Sequence, residues 1–230
     1  MIRWIVALVL VISSAAMGWT RTDTLRVLAS GDDVRIVGSD FSATGTLYRG
    51  YLAGGGRCSI AERMQSKVPA GQTITSAYYV PAAAYRAGTD TTKIYMEYAN
   101  NAAAITSTTD FNGRTLTSDS LDYTIPGTWT DGTRYSFTIT TLFSAVYEAG
   151  YADSGEYCNI FCLGRNQANA NHYRSSYPYD GDAGSASWII VVHETATAPS
   201  STPKGLRRKI IQMGSIEPVL TEWGQWEAVQ

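Results

Sequence analysis

The chain has 230 residues, 44% of them hydrophobic and 17% charged, with a formal net charge of −2. This length and apolar content suffice for one sizeable core, and the near-zero charge argues against nucleic acid or an anionic membrane as a partner. Twenty-one glycines and fifteen tyrosines, with abundant Thr and Ser and few long helical patterns, place the chain among all-β extracellular proteins.

Residues 1–18 differ from the rest. Arg3 supplies one positive charge, residues 5–12 form an uninterrupted apolar run, and residues 14–18 are mostly small, the pattern of a secretory signal peptide. Ala16 and Gly18 fit the small positions before a cleavage site, leaving Trp19 as the first mature residue; cleavage after Ala16 fits nearly as well. Two other readings stay open. One is an uncleaved anchor, for which the run is short against the roughly 20 residues that cross a bilayer; the other is a start at Met17. Export implies a secreted location, at a cell surface or in a virion, with no membrane contact after cleavage.

Export would also permit disulfides. Cys58, Cys158 and Cys162 leave one thiol unpaired whatever bridge forms. Cys158 and Cys162 lie about 13 Å apart in an extended strand and cannot bridge each other. A bridge from Cys58 to one of them and three buried thiols both stay open, the second being the simpler.

Short strands are expected at 25–28 and 34–37, on either side of the turn composition Ser30-Gly31-Asp32-Asp33, and at 46–52, broken by Gly54-Gly55-Gly56. Residues 59–68 alternate Ile60, Met64 and Val68 against Arg63, Gln65 and Lys67, with Glu62 interrupting the apolar set. Pro69 and Gly71 then make a tight turn. Residues 73–80 follow as a strand with Ile74, Tyr78 and Val80 on the face expected to be buried, so the two runs read as an antiparallel hairpin.

Residues 68–78, Val-Pro-Ala-Gly-Gln-Thr-Ile-Thr-Ser-Ala-Tyr, resemble the I-P-x-G-a-x-I-t-s-A-x-L signature of DNRLRE-type modules and their jelly-roll relatives, found in secreted bacterial surface proteins and in phage or prophage proteins. Residues 146–155 resemble the family's v-x-E-i-x-x-x-x-W-x-x-G segment, with Tyr151 where those sequences usually carry Trp. The resemblance spans about residues 25–194 and implies a mostly non-catalytic jelly-roll β-sandwich; it names no ligand.

Further along, residues 81–84 fit a helical turn or a loop, and 93–98 read as a half-buried strand carrying Ile94. Residues 100–132 form a long polar connection with one short strand at 121–124, and connections of that length are usually functional or poorly ordered. Tyr135, Phe137 and Ile139 alternate as a strand, after which Ile139, Leu142, Phe143 and Val146 fall at helical spacing, predicting one short helix that caps the sandwich. The last core strands are 157–163 and 188–193, the latter apolar on both parities, as in a strand covered on both sides. The fold class is therefore all-β, an antiparallel β-sandwich of jelly-roll type over 19–195, with Ile74, Tyr78, Ile94, Ile139, Ile160, Trp188, Ile190 and Val192 in its core. A Thr/Ser/Pro linker at 196–204 precedes a tail at 205–230.

No nucleophile elbow, zincin helix, Walker loop or dinucleotide fingerprint is present, and the expected role is non-enzymatic, in assembly or attachment. His193 closes a core strand, and His172 belongs to a polar loop at 166–175. Asp180 and Asp182 on a Gly-rich loop resemble a fragment of a calcium loop, a weak Ca²⁺ candidate; no other cofactor is expected. Asp32, Asp33 and Asp40 read as turn and cap residues. Tyr177, Tyr179 and Trp129, with Asn171, Arg174 and Asp180 as polar partners, make a candidate glycan platform, against the simpler reading that aromatics at loop ends pack beneath the loops of the sandwich. The rival class is a glycan-active enzyme, which would need two carboxylates facing across a cleft. In the tail, Arg207, Arg208, Ile210, Ile211, Trp223 and Trp226 are candidate contacts to a protein partner or to another copy. The competing reading folds the tail back on its own domain.

Overall fold

The computed structural model describes residues 19–87, 91–124, 128–165 and 172–195, and the backbone of 206–207 and 227–228. Thr20–Thr195 is one compact unit. Its sheet A runs in the order β1 (Trp19–Arg26), β13 (Trp188–Thr195), β6 (Thr73–Val80), β10 (Phe137–Thr138), so the first and last strands lie side by side. Sheet B runs β7 (Ala83–Ala87), β12 (His172–Ser176), β4 (Leu47–Leu52), β5 (Gly56–Gln65), β11 (Tyr157–Gly164), β8 (Thr91–Met96), β9 (Leu121–Thr124), with β2 (Asp33–Val37) also on β5 and β3 (Asp40–Ser42) beyond it. All pairings with a described register are antiparallel, and the two packed sheets form the expected jelly-roll-like β-sandwich, curled into half a barrel. In the second unit, Leu206–Arg207 (β14) pairs antiparallel with Glu227–Ala228 (β15).

Two strands of sheet B meet at one glycine. β11 pairs with residues 59–65 of β5 and β4 with residues 56–58, so the two strands meet at Gly164. A Cβ there would stand 2.2 Å from the carbonyl oxygens of Cys58 and Gly50, an approach that only glycine allows. From this junction β4 leads to β12 and β7, while β11 leads to β8 and β9.

The main core fills the space between the sheets. Leu25, Ala77, Tyr79, Ile189 and Val191 of sheet A meet Leu47, Ile60, Met64, Ile94, Met96 and Ile160 of sheet B. The helix expected after residue 139 is α2 (Thr140–Glu148), which buries Leu142, Phe143, Val146 and Tyr147 at one end. All three cysteines are buried and in no disulfide, and burial pushes Cys158 up to about 12.

Ile94, Ile139 and Ile160 are in the core as expected, but the parity of two strands is reversed. In β6, Ala77 and Tyr79 face inward and Tyr78 is half-buried outside; in β13, Ile189, Val191 and His193 face inward, and Trp188, Ile190 and Val192 are half-buried outside. β13 is apolar on both parities, and the mixed parity of β6 carries Ala77 and Tyr79 as well as Thr73 and Thr75, so alternation alone does not choose the inner face. A bulge adds a further twist: Val192 opposes Ser76 but His193 opposes Ile74, so Thr75 is skipped and Ile74 turns back to pack on the core. Outside, Trp188 lies beneath the guanidinium groups of Arg26 at 4.6 Å and Arg134 at 3.6 Å.

The predicted hairpin is not one. β5 lies in sheet B and β6 in sheet A, so residues 66–72 form an arch between sheets. Tyr147 pins the arch by donating its hydroxyl to Pro69 O and accepting from Gln72 N, while Gly155 N donates to Ser66 O at 3.0 Å. Residues 68–78 and 146–155 are thus bonded to each other.

Four other expectations change. The strand buried on both faces is β11 rather than β13, because residues 98–120 fold over the outer face of sheet B. There Ile105 and Phe111 pack on Val34, Ile36, Ala61 and Phe161. That connection carries a second helix, α1 (Thr108–Asn112), N-capped by Ser107, and Arg114 clamps it by bonding Asp110 at 2.8 Å, Glu97 at 3.0 Å and Ala104 O at 3.1 Å. The polar segment 166–175 ends in strand β12, and the candidate helical turn at 81–84 leads into β7.

Gly164→Ala is expected to destabilise the sandwich by at least the roughly 1–3 kcal/mol typical of overpacking, because its neighbours are backbone atoms. Gly31→Ala, with nothing near its Cβ position, should stay within about 0.5 kcal/mol of wild type. Urea unfolding midpoints of the two variants give the comparison.

Candidate functional site

The loop after β12 carries most of the predicted surface residues. Tyr177 extends the ladder by donating its N–H to Ala82 O at 3.2 Å, and its hydroxyl donates to Asp131 Oδ1 at 2.6 Å, a bond that holds the phenol above its ordinary value. Tyr179 is tethered by its backbone N–H, which donates to Asp33 Oδ2 at 2.6 Å, while its ring packs half-buried on the core. Asp182 closes the loop, accepting from Ser185 Oγ at 2.6 Å and Gly184 N at 2.9 Å, and these bonds keep its carboxyl below the usual range. Arg134 ties down the far side through Gly184 O at 2.6 Å and Ala186 O at 3.1 Å. On the neighbouring strand β7, Tyr85 is 61% exposed, and its backbone exchanges bonds with Ser175 Oγ.

The structure divides the predicted glycan platform. Trp129 is only 3% exposed: its ring stacks on Tyr135 at 4.5 Å and its Nε1 donates to Ser175 O at 2.8 Å, so it packs beneath the loop and offers no face to a ligand. Arg174 is buried as well, because it lies in β12 opposite Arg49 in the sheet interior and not in a loop. Tyr177 and Tyr179 are half-buried and Asp180 is exposed. Asn171 lies outside the described residues. What stays accessible is Tyr85 and Tyr177 with Asp131 and Asp180, aromatic surface beside acceptors.

For the calcium candidate, Asp182 is already engaged in its turn, and Asp180 stands exposed. Among the described residues no three His, Cys, Asp or Glu side chains gather as a metal site. A hollow of about 290 Å³ beside the start of α2 is lined by Asp119, Ser120, Leu121 and residues 138–142 and holds one carboxylate. Apart from the backbone of Arg207 in β14, the tail candidates Arg207, Arg208, Ile210, Ile211, Trp223 and Trp226 lie outside the described residues.

The groups that sequence reading missed are the buried charges under this loop. Glu62, 1% exposed, sits between Ile60 and Met64 on the inner face of β5 and accepts a hydrogen bond from the Tyr79 hydroxyl, bonding sheet B to sheet A. Arg49 lies near both, 5.7 Å above the Tyr79 ring, and donates to Ser176 Oγ at 2.6 Å. Desolvation pushes Glu62 above the usual carboxylate range and Tyr79 well above the usual phenol range. Asp32 and Asp33, expected as turn residues, are also buried, Asp32 paired with Arg63 at 2.8 Å. His193 is fully buried and its Nε2 lies 2.9 Å from Asp23 Oδ2. The available signal was Glu62 itself: a lone charge on the apolar parity of a strand needs a buried partner.

The chain is thus an antiparallel β-sandwich with an aromatic and acidic loop at one end. No family model matches it, and no curated protein matches it. Among solved structures, it is similar to that of the infectious bursal disease virus Gx strain at 10% identity and a TM-score of 0.23, the match covering 79% of this chain and 38% of that one. This chain therefore spans well under two thirds of that viral chain.

Trp129→Ala is expected to cost about 3–5 kcal/mol, as for a buried Trp in a core, whereas Tyr85→Ala should move stability by no more than about 0.5 kcal/mol. Equilibrium denaturation of both variants tests the assignment of Trp129 to the interior.

Proposed function

We propose that this protein is an exported, non-catalytic β-sandwich module, on a bacterial surface or in a virion, that works by assembly or attachment. One observation carries the reading. Each of the buried carboxylates Asp23, Asp32, Asp33, Glu62 and Glu97 is bonded to another part of the fold: His193, Arg63, the Tyr179 amide, Tyr79, and Arg114 with Asn159. These groups brace sheets and loops, the task of a scaffold, whereas a hydrolase needs carboxylates facing a substrate cleft. The resemblance of residues 68–78 and 146–155 to DNRLRE-type modules supports the same reading.

In this proposal the tail at 205–230 supplies the contact to a protein partner or to another copy, through Ile210, Ile211, Trp223 and Trp226 with Arg207 and Arg208 beside them. Truncation after Pro203 tests it. The expected outcome is an unchanged melting temperature with loss of self-association or partner capture in sedimentation velocity. A drop in melting temperature with unchanged association would show that the tail belongs to the sandwich.

The exposed ring of Tyr85 and the Tyr177–Asp131 pair favour a second reading, attachment to a glycan, whose C–H faces stack on aromatic rings while its hydroxyls meet carboxylates. A glycan array should then give signals that the Tyr85→Ala/Tyr177→Ala double variant loses. A blank array, or binding unchanged in the variant, rejects it.

A further inference from the structure

Asp33 and Glu62 are directly opposed residues of β2 and β5. Opposed side chains share a sheet face with Cβ atoms roughly 5 Å apart, and both of these are 1% exposed. Each carboxyl has one oxygen engaged: Asp33 Oδ2 accepts from Tyr179 N, and Glu62 Oε2 accepts from the Tyr79 hydroxyl. The other oxygen of each, Asp33 Oδ1 and Glu62 Oε1, is buried with no hydrogen-bond partner among the described residues. Buried oxygens are normally bonded, and two carboxylates cannot bond each other. One added proton, however, turns one of the two orphan acceptors into a donor for the other.

The surrounding charges select where that proton sits. Desolvation raises both carboxyls, but Glu62 faces the Arg49 guanidinium from β4, the Ser187 hydroxyl ahead of β13 and the Tyr79 hydroxyl from β6, all of which favour its ionised form. Across β5, its β11 neighbour is the apolar Ile160; Cys162 of β11 lies near Tyr79, and Arg174 of β12 opposes Arg49. Asp33 faces carboxylates instead: Glu62, Asp180 from the loop after β12 and Asp32, whose charge is met by Arg63 of β5. We propose that Asp33 and Glu62 hold one proton between them, carried on Asp33 Oδ1 and donated to Glu62 Oε1, and that this proton makes the sandwich and its Tyr179 tether pH-sensitive.

The sign of the effect follows from linkage. Desolvation, reinforced by the nearby carboxylates, raises Asp33 from 3.8 to about 7. A carboxyl raised in the folded state contributes stability that is complete below its unfolded value and is lost as pH rises through the folded value. The sandwich should therefore be more stable near pH 5.5 than near pH 8, against the usual trend for paired carboxylates. The pair titrates as a unit, and above neutrality two like charges oppose each other across the β2–β5 ladder.

The test compares thermal unfolding of wild type, Asp33→Asn and Asp33→Ala between about pH 5.5 and pH 8. Asn offers a donor toward Glu62 and an acceptor for Tyr179 N at every pH, so Asp33→Asn should abolish the fall in melting temperature. Asp33→Ala should be less stable than wild type near pH 5.5. A fall of equal size in Asp33→Asn overturns the proposal. Should Asp33→Asn fail to fold, carbon-detected NMR titration of the wild-type side-chain carboxyls decides. One resonance with a midpoint near 7 supports the shared proton, and midpoints all below about 5 overturn it.

Discussion

The sandwich turns on a single bond between its sheets, from the hydroxyl of Tyr79 on the inner face of sheet A to the carboxyl of Glu62 on the inner face of sheet B. Apolar contact holds two sheets together without fixing how they slide, whereas a buried carboxyl that must find its one phenol admits a single alignment. Much of the candidate site is placed relative to that bond. Arg49 reaches from Glu62 toward β12, Trp129 donates its Nε1 to the same strand, and Ser187, 3.5 Å from the Tyr79 hydroxyl, marks where the loop re-enters sheet A.

Seen from this brace, the two faces of sheet B have different tasks. The inner face carries the core and its buried charges. The outer face is roofed by residues 98–120, which bring their own apolar cluster and their own clamp in Arg114, Glu97, Asp110 and Asn159. A segment whose composition reads as loose loop is thereby fastened by one arginine with partners on the sheet and on α1. Sheet A has no such roof among the described residues, and its outer apolar residues are shielded piecemeal, Trp188 by the guanidiniums of Arg26 and Arg134.

How much was legible in the sequence follows from which signals are local. The sandwich class, most strands and the helix after Ile139 were readable because alternation, helical spacing and turn chemistry act over a few residues. The inner face of β6 and β13 was not, since Tyr78 and Tyr79, or Ile189 and Ile190, are interchangeable to a periodicity, and only the partner across the core, Glu62 for Tyr79, distinguishes them. The supposed hairpin failed for a related reason: a Pro-Gly turn sets where the chain reverses but not whether the next strand joins the same sheet. In the candidate site, Tyr177 and Asp180 were rightly placed on a surface loop. Arg174 was misplaced because loop-like composition hid a strand, β12, Trp129 follows the simpler reading and packs beneath the loop, and the carboxylates beneath were passed over as turn residues.

The three buried cysteines bear on when their thiols can react. Cys158 is held as a neutral thiol far above physiological pH, and Cys58 and Cys162 are equally shut away from solvent. Disulfide exchange requires an accessible thiolate. An external disulfide or thiol therefore reaches none of the three while the sandwich stays folded, and exchange at these positions has to wait for the sheets to open.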